Sequence, residues 1–244
     1  MRVAVLGCGV VGSAVAKDLA DHLSAELFVM DINEERAETL AREINSGWMR
    51  VNASNYRQLV NTLNGFDLVI GALPGRLGFN ALKAAVEAGV DIVDVSYMPE
   101  NPLTLHEDAE RAGIIIIPDC GVAPGLTNIL AGYGASRLDA VNYIHIMVGG
   151  IPEKPIPPLG YTITWSAIDL LEEYTRPARI VLNGEVVEVP ALSGLETVKF
   201  PGLGILEAFY TDGLRTLIHT MPNVAEMWEK TLRYPGHAEK NTLT

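Results

Sequence analysis

The fold is decided by the stretch RVAVLGCGVVG, residues 2–12, close to the start of the chain. Its first half is a short β-branched run, and a turn with three glycines follows it without a spacer. Apolar residues then recur at helical spacing as far as Leu19, and a second apolar run, from Glu26 to Asp31, ends in a carboxylate. The order of strand, glycine turn, helix, strand and acid is typical of a dinucleotide-binding fold.

Each part of this pattern has a mechanical role in holding a dinucleotide. Gly7 allows the tight turn, Gly9 lets backbone N–H groups approach a pyrophosphate, and Gly12 lets the helix pack closely on the strand. The phosphates would lie at the helix N-terminus, where unpaired N–H groups and the helix dipole favour negative charge. Asp31 follows Gly12 by 19 positions, where a carboxylate would accept hydrogen bonds from both ribose hydroxyls of NAD.

The predicted cofactor is therefore NAD. The alternative, a glycine turn in a generic strand–helix unit, leaves Asp31 unexplained. A signal peptide is excluded because three glycines break the apolar stretch, which runs into an amphipathic helix. The predicted cofactor contacts come from the glycine turn, the acid and the ends of the neighbouring strands: Gly7, Gly9, Val10, Val11, Gly12, Asp31, Ile32, Ala53, Ala72, Leu73 and Pro74.

The composition is that of a globular protein, with 48% hydrophobic and 20% charged residues among 244. The net charge of −12 argues against nucleic acid as a partner, because phosphates attract lysine and arginine patches. No apolar run reaches the roughly 18–20 residues that span a bilayer, so no membrane association is expected. The two cysteines, Cys8 and Cys120, cannot form a disulfide framework, which predicts a reducing, cytoplasmic location.

Two domains are predicted. Residues 1–122 hold six apolar strands that alternate with helices, which indicates an α/β domain with a Rossmann-type doubly wound parallel sheet. Continuous runs such as Ile114–Ile117 predict strands that are buried on both faces. Residues 123–244 are predicted to form a mixed α+β domain, because hairpin signals such as Asn183-Gly184 lie between helical segments. Strand-rich domains have edges that need covering, so a homo-oligomer, either a dimer or a tetramer, is expected.

Polar residues predict where several helices begin. Asn33 is predicted to cap the helix after the second strand, and Asp212 a short helix near residue 219. The segment Asn52-Ala53-Ser54 follows the third strand. Its polar groups could contact the adenine of the cofactor, or Ser54 could cap the next helix.

Reactive side chains follow two strands of the first domain. The fifth strand ends in Asp94-Val95-Ser96-Tyr97, and the sixth is followed by Asp119-Cys120-Gly121-Val122-Ala123-Pro124-Gly125. Both segments lie at the carboxyl edge of the predicted sheet, near the expected nicotinamide half of the cofactor. Together with Thr231-Leu232-Arg233-Tyr234-Pro235-Gly236-His237, they resemble the saccharopine dehydrogenase-like family, and within it the L-lysine 6-dehydrogenases. The resemblance covers essentially the whole chain.

The resemblance implies an NAD-dependent oxidation of the ε-amine of L-lysine, in which hydride passes to NAD and the imine is hydrolysed. A saccharopine, carboxynorspermidine or other opine-type reductase on the same scaffold is the near alternative. In the family the chain continues beyond the third motif and packs back on the first domain. Because this chain stops at Thr244, an NAD-binding protein without activity is a third alternative. The resemblance also implies that Asp94, Cys120 and Gly121 border the substrate, and that second-domain arginines hold its carboxylate.

The implied reaction needs few protein groups. The amine must be neutral when hydride leaves the carbon beside it, so a base with a pKa near the working pH is required. Asp94 and Asp119 are the candidates, since burial raises a carboxylate pKa, although either could instead cap its loop. Tyr97 could relay the proton, and Cys120 is expected to form part of the site's wall rather than act as a nucleophile. Three arginines are candidate carboxylate clamps, because guanidinium binds carboxylate through paired hydrogen bonds: Arg176, Arg215 and Arg233.

The remaining conspicuous side chains favour structural roles. His219 and His237 have no partners at metal-binding spacing, so no metal site is predicted. Tyr161, Trp165 and Tyr174 could line a substrate pocket, but core packing explains them as well.

Overall fold

A computed structural model describes residues 1–241 of the chain. The chain divides into two compact units, Met1–Gly121 and Val122–Thr244, and each has its own sheet. The last three residues of the second predicted domain lie outside the described residues. Within residues 1–241, no helix combines the length and the apolar character that a membrane crossing needs.

The first unit alternates strands and helices along the chain. Its strands are β1 (Arg2–Leu6), β2 (Glu26–Asp31), β3 (Gly47–Arg50), β4 (Leu68–Gly71), β5 (Asp91–Asp94) and β6 (Ile116–Ile117). Its helices are α1 (Val10–His22), α2 (Glu34–Ile44), α3 (Tyr56–Leu63), α4 (Gly75–Ala88) and α5 (His106–Ala112), with a short 3-10 helix at Pro102–Leu105. The strands are parallel, in the order β3-β2-β1-β4-β5-β6, which confirms the doubly wound α/β prediction.

Two cores explain why helices cover both faces of this sheet. Val3 and Val5 of β1 face α1 and α2, whereas the alternate residues Ala4 and Leu6 face α3 and α4. This alternation follows from the two-residue period of a strand. The strand order changes direction beside β1, and open α/β sheets bind ligands at that point, outside the carboxyl ends of the strands.

The sixth strand differs from its prediction. β6 comprises only Ile116–Ile117, and the side chains of Ile115 and Ile117 are 62% and 48% exposed. The prediction that this isoleucine run is buried on both faces was therefore wrong. The physical reason is position, because β6 is an edge strand that pairs with β5 alone within the described sheet.

The second unit is a mixed α+β structure. Its strands are β7 (Tyr143–Val148), β8 (Ala178–Leu182), β9 (Glu185–Val189), β10 (Glu196–Phe200), β11 (Gly204–Tyr210) and β12 (Glu226–Arg233). Its helices are α6 (Leu126–Ala135), α7 (Ala167–Thr175), α8 (Leu217–Thr220) and α9 (His237–Asn241). β12 pairs in parallel with β7 and antiparallel with β8 and β11. The predicted Asn183-Gly184 hairpin is confirmed, with both residues at the positive φ of 55° and 81° that a tight hairpin turn requires.

The predicted helix caps had mixed outcomes. The Asn33 side chain accepts a hydrogen bond from Arg36 N and begins α2, as predicted. Helix α3 is capped by Asn55, not Ser54, because the Asn55 side chain accepts from Gln58 N. The prediction that Asp212 caps a helix was wrong. α8 begins only at Leu217, and the Asp212 carboxylate instead binds the guanidinium of Arg179.

Candidate cofactor and catalytic site

The glycine turn after β1 is packed so tightly that side chains are excluded from it. Gly7 adopts φ +106°, and a Cβ on it would overlap the carbonyl oxygen of Ala72. A Cβ on Gly12 would overlap the carbonyl oxygen of Gly7, since α1 crosses the turn at this point. A Cβ on Gly9, by contrast, would meet no atom within 4 Å. The turn therefore has no room for side chains at Gly7 and Gly12, and it has free space at Gly9, where the pyrophosphate is predicted to bind.

The N-terminus of α1 suits a phosphate. Its N-cap, Gly9, offers no side-chain hydrogen bond to the first N–H groups of the helix. Val10, the first helical residue, is 71% exposed. Uncapped N–H groups at an exposed helix start, together with the helix dipole, form an anion-binding site.

The carboxylate of Asp31 lies against the glycine turn. Its Oδ2 accepts a hydrogen bond from Cys8 N at 2.8 Å, and its Oδ1 accepts one from Asn33 N at 2.8 Å. The end of β2 is thereby fixed beside the turn, where a ribose attached to a bound pyrophosphate would lie. The Cys8 thiol is buried under this carboxylate. Burial, and then Asp31, raise the pKa of Cys8 to about 12, which favours the protonated thiol.

The other predicted cofactor contacts occupy the same edge with different exposure. Ile32 is exposed, Ala53 is buried, and Ala72, Leu73 and Pro74 are half-buried. The Ala72 amide donates to Leu6 O at 2.9 Å, which holds the end of β4 beside the start of the glycine turn.

Asp94, at the end of β5, is completely buried. Its Oδ1 accepts from Ser96 N at 2.8 Å, and its Oδ2 accepts from Ser96 Oγ at 3.1 Å. Burial, helped by the neighbouring Asp119 and opposed by the two hydrogen bonds from Ser96, raises the pKa of Asp94 to about 7. A pKa near neutrality suits proton exchange at working pH.

Two glycines make room for this pair, and neither was singled out from the sequence. A Cβ on Gly71 would overlap the Asp94 carboxylate, and a Cβ on Gly78 would lie 2.6 Å from Ser96 Cβ. Gly71 pairs with Asp94 in the sheet register. Glycine in a strand interior signals a close approach, which was the available clue.

The remaining predicted catalytic residues follow the ends of β5 and β6 in the first unit. Cys120 N donates to Asp94 O at 2.8 Å, which ties the end of β6 to the end of β5. Asp119 is buried and adopts a positive φ of 53°, a conformation that is uncommon outside glycine and recurs at functional sites. Cys120 and Gly121 are exposed, and Tyr97 is half-buried.

The three predicted carboxylate clamps each contact an acid of their own unit. Arg176 donates to Glu172 Oε2 at 2.7 Å. Arg215 is buried, with Nη1 4.0 Å from Asp212 Oδ2. The buried Arg233 donates from Nε to the Tyr174 hydroxyl at 3.1 Å, and its Nη2 lies 3.6 Å from Glu173 Oε2. Their role as clamps stays a prediction.

The second unit buries polar groups that sequence reasoning assigned to packing. His237 Nδ1 faces Leu159 O at 2.9 Å, so Nδ1 carries the proton and Nε2 accepts from the Tyr174 hydroxyl at 2.8 Å. Burial lowers the pKa of His237. The structural role of His237 stays a prediction. Within residues 1–241, no three His, Cys, Asp or Glu side chains are grouped to hold a metal ion.

The strand order, the open glycine turn and the acid at the end of β2 define a dinucleotide-binding domain. Comparison with known families specifies the class further. The chain belongs to the saccharopine dehydrogenase family, because the profile described as "Saccharopine dehydrogenase NADP binding domain" matches residues 3–117 and "Saccharopine dehydrogenase C-terminal domain" matches residues 121–243. The family expected from three motifs is confirmed, whereas the narrower likeness to the L-lysine 6-dehydrogenases stays a prediction.

Individual relatives agree with the family. The chain is 30% identical to the mitochondrial alpha-aminoadipic semialdehyde synthase of Bos taurus, over 98% of this chain and 27% of that protein. It is 25% identical to the Saccharomyces cerevisiae saccharopine dehydrogenase named as NADP(+)-dependent and L-glutamate-forming, over 98% of this chain and 56% of that protein. The solved apo structure of the S. cerevisiae enzyme superposes with a TM-score of 0.80 at 23% identity, covering 98% of this chain and 56% of that one, which shows the shared fold. The chain thus spans about half, or less, of these relatives.

Proposed function

We propose that the chain supplies the cofactor and substrate domains of an oxidoreductase that acts on the C–N bond of saccharopine, with NAD as the hydride acceptor. Family membership supports the substrate class, since the relatives are named as saccharopine dehydrogenases and semialdehyde synthases. L-lysine itself, oxidised at its ε-amine, is the competing substrate. It differs in that its nitrogen is bonded to one carbon instead of two.

The observation that carries the proposal is the register of three neighbouring strand ends. Leu6 pairs with Gly71, and Gly71 pairs with Asp94, so the glycine turn and the buried acid emerge from the same sheet edge. They are separated by two strand spacings, roughly 10 Å. A dinucleotide anchored at the turn therefore has its reactive end within reach of the Asp94 cluster.

In this proposal the nicotinamide accepts a hydride, and the chain's own groups manage the proton and position the amine. Asp94 and Asp119 are the candidate bases that keep the reacting nitrogen unprotonated. Tyr97 is the candidate relay between a buried acid and the substrate. The exposed Cys120 and Gly121 are the candidate residues that border the substrate.

Turnover assays with both substrates and both cofactors test the proposal. The protein is mixed with NAD or NADP and with saccharopine or L-lysine at alkaline pH, and reduced cofactor is followed by absorbance. Turnover with saccharopine is the expected result. Turnover with L-lysine but not with saccharopine would mean that L-lysine is the substrate. NAD binding without turnover of either compound would mean that the protein binds the cofactor without catalysing this reaction.

The choice of NAD over NADP depends on Asp31. A carboxylate repels the 2′-phosphate of NADP and binds the free hydroxyls of NAD. Asp31→Ala should weaken NAD binding by about 10- to 100-fold, the value of a hydrogen bond to a charged group. Asp31→Asn should mainly reduce the preference for NAD over NADP, measured as the ratio of the two affinities. Calorimetric titration measures both affinities, with the exposed Asp18→Ala as the control. Tighter NADP binding by the unmodified protein would contradict the assignment.

The predicted location and assembly are part of the same proposal. Cys8 and Cys120 are both free, as a reducing cytoplasm would leave them. Cell fractionation tests the location, and light scattering of the purified protein tests the expected homo-oligomer.

A further inference from the structure

Two threonine hydroxyls link two carboxyl groups inside the second unit, which gives a hydrogen-bonded chain of four polar side chains. The Glu229 carboxyl, on β12, is hydrogen-bonded to the hydroxyl of Thr211. Thr211 Oγ1 lies 2.8 Å from Thr231 Oγ1, and Thr231 Oγ1 donates to Glu173 Oε1 on α7 at 2.9 Å. All four residues are buried, and the predicted reaction uses none of them.

The number of protons shared by these four side chains follows from their hydrogen-bond geometry. Three hydrogen bonds connect the four groups, and each hydrogen bond contains one proton. The two threonine hydroxyls supply two protons, because a hydroxyl has a single O–H. With both carboxyls ionised, the 2.8 Å contact between Thr211 and Thr231 would bring two oxygens together with no proton between them. The third proton must therefore belong to a carboxyl group.

The charged neighbours decide which carboxyl carries it. Burial raises the pKa of Glu173, but Arg233, 3.6 Å away, and the hydrogen bond from Thr231 both favour its ionised form. The charged groups that act on Glu229 are two acids, Glu173 and Asp212, which disfavour a further negative charge. Glu229 therefore donates to Thr211, Thr211 donates to Thr231, and Thr231 donates to Glu173. This direction agrees with the Thr231–Glu173 hydrogen bond.

The surroundings of Glu229 also disfavour its ionised form. The side chain is 3% exposed, and its Oε2 has no hydrogen-bond partner among the described residues. A Cβ on Gly213 would overlap the carboxyl group, so the loop after β11 closes directly over it. The strand β7 places the apolar Ile146 opposite Glu229 in the sheet register. An ionised carboxylate here would lack the donors that water supplies.

Further charges around the chain of four are already matched. They face it from β8, the loop after β11 and β12. Arg179, on β8, binds both oxygens of Asp212 at 2.9 and 2.7 Å. Arg215, in the loop after β11, lies 4.0 Å from the same acid. Arg233, on β12, faces Glu173. The arginines thus contact Asp212 and Glu173.

We propose that Glu173 and Glu229 hold one proton between them in the folded protein, resident on Glu229, and that loss of this proton at alkaline pH destabilises the second unit. The site is independent of the reaction proposed above. It makes the stability of this unit depend on pH through a group that touches neither cofactor nor substrate.

The direction of the pH dependence follows from the pKa. Burial is the largest cause, and it raises the pKa of Glu229 from 4.5 to about 8, helped by Glu173 and Asp212, whereas a Thr211 hydroxyl turned to donate to Glu229 would favour the ionised form. Between these two values the folded state holds a proton that the unfolded state has released. The stabilisation is complete below the unfolded pKa and is lost as the pH rises towards about 8.

Urea unfolding of the full unmodified chain and of Glu229→Gln, measured between pH 5 and 9, tests the proposal. The amide can donate to Thr211 as the protonated acid does, but it cannot ionise. The folding equilibrium constant of the unmodified protein should fall, relative to the variant, by about tenfold per pH unit between pH 5 and 8. Glu188→Gln, on the exposed part of β9, is the control and should parallel the unmodified protein. Parallel profiles for Glu229→Gln and the unmodified protein would overturn the proposal.

A second measurement covers the case in which Glu229→Gln does not fold. Infrared spectroscopy is applied to the double variant Asp94→Asn Glu173→Gln, which lacks the other two acids whose pKa burial raises, and a protonated-carboxyl band should remain at neutral pD. The band should disappear on raising the pD to 10 while the protein is still folded. Absence of the band at neutral pD would overturn the proposal.

Discussion

Each unit of this protein buries one carboxyl group beneath a glycine, and the two sites differ in what surrounds the acid. Asp94 is covered by Gly71 and Glu229 by Gly213, since a Cβ on either glycine would overlap the carboxyl group. Both oxygens of Asp94 accept hydrogen bonds from Ser96, whereas Glu229 Oε2 has no hydrogen-bond partner among residues 1–241. Burial raises both pKa values, to about 7 and about 8. Donors already in place therefore stabilise the ionised form of Asp94, while Glu229 is held as an acid.

The position of each site explains this difference. Asp94 ends a strand at the edge where parallel sheets bind ligands, and Glu229 lies within β12, whose inward face packs under helices. The comparison predicts that changes around Asp94 alter turnover, and that changes around Glu229 alter stability.

The largest expected effect is on turnover in Asp94→Asn. If Asp94 is the base, its loss should lower turnover by about 10²–10⁴-fold, while the NAD dissociation constant changes less than about twofold. Steady-state kinetics and calorimetric titration measure the two quantities. Asp91→Asn, at the opposite end of β5, is the control and should retain turnover. Equal losses of turnover and affinity would remove Asp94 as a base.

The sequence predicts those features of the fold and site that a local pattern of residues determines. The turn from Gly7 to Gly12 and the acid at Asp31 lie within a single strand–helix–strand unit, so spacing alone places them together. The edge strand β6 was misjudged because an isoleucine run reports apolarity but not the number of neighbouring strands.

The polar chain of the second unit could not be predicted for a related reason. Glu173 and Thr231 are 58 residues apart in sequence and meet only through the packing of α7 on β12. Along β12, Glu229, Thr231 and Arg233 occupy alternate positions, a pattern that ordinarily indicates a solvent-facing side. The structure buries this side because each polar group finds a partner on another element.

The next largest expected effect is on the stability of the second unit. Arg233→Met should lower the free energy of unfolding by about 3–5 kcal/mol, because it leaves Glu173 as an uncompensated buried charge. Urea denaturation at pH 7 provides the measurement. Arg42→Met, which breaks an exposed pair with Glu38 in the first unit, should cost less than about 1 kcal/mol. Comparable losses of unfolding free energy in the two variants would mean that the buried ion pair of Arg233 contributes no more to stability than an exposed pair.

The covering glycines provide the most direct comparison of the two sites. Gly71→Ala and Gly213→Ala should each cost about 1–3 kcal/mol of stability, because the added methyl overlaps a buried carboxyl group. Gly71→Ala should also reduce turnover, whereas Gly213→Ala should leave NAD affinity unchanged. Gly132→Ala, in α6, meets no atom within 4 Å and should stabilise the protein by about 0.5–1 kcal/mol. Loss of NAD affinity in Gly213→Ala would contradict the separation of roles.

The smallest expected effect concerns the outward face of the strand that carries Glu229. Glu226, three residues earlier on β12, is part of a half-exposed cluster in which it contacts His145 at 2.8 Å and Trp228 at 3.2 Å. Water solvates this carboxylate, so Glu226→Gln should change the free energy of unfolding by less than about 1 kcal/mol. Urea titrations of Glu226→Gln and Glu229→Gln at pH 9 compare the two faces of one strand. A large effect at Glu226 and none at Glu229 would show that burial under Gly213 does not determine how an acid of β12 acts on stability.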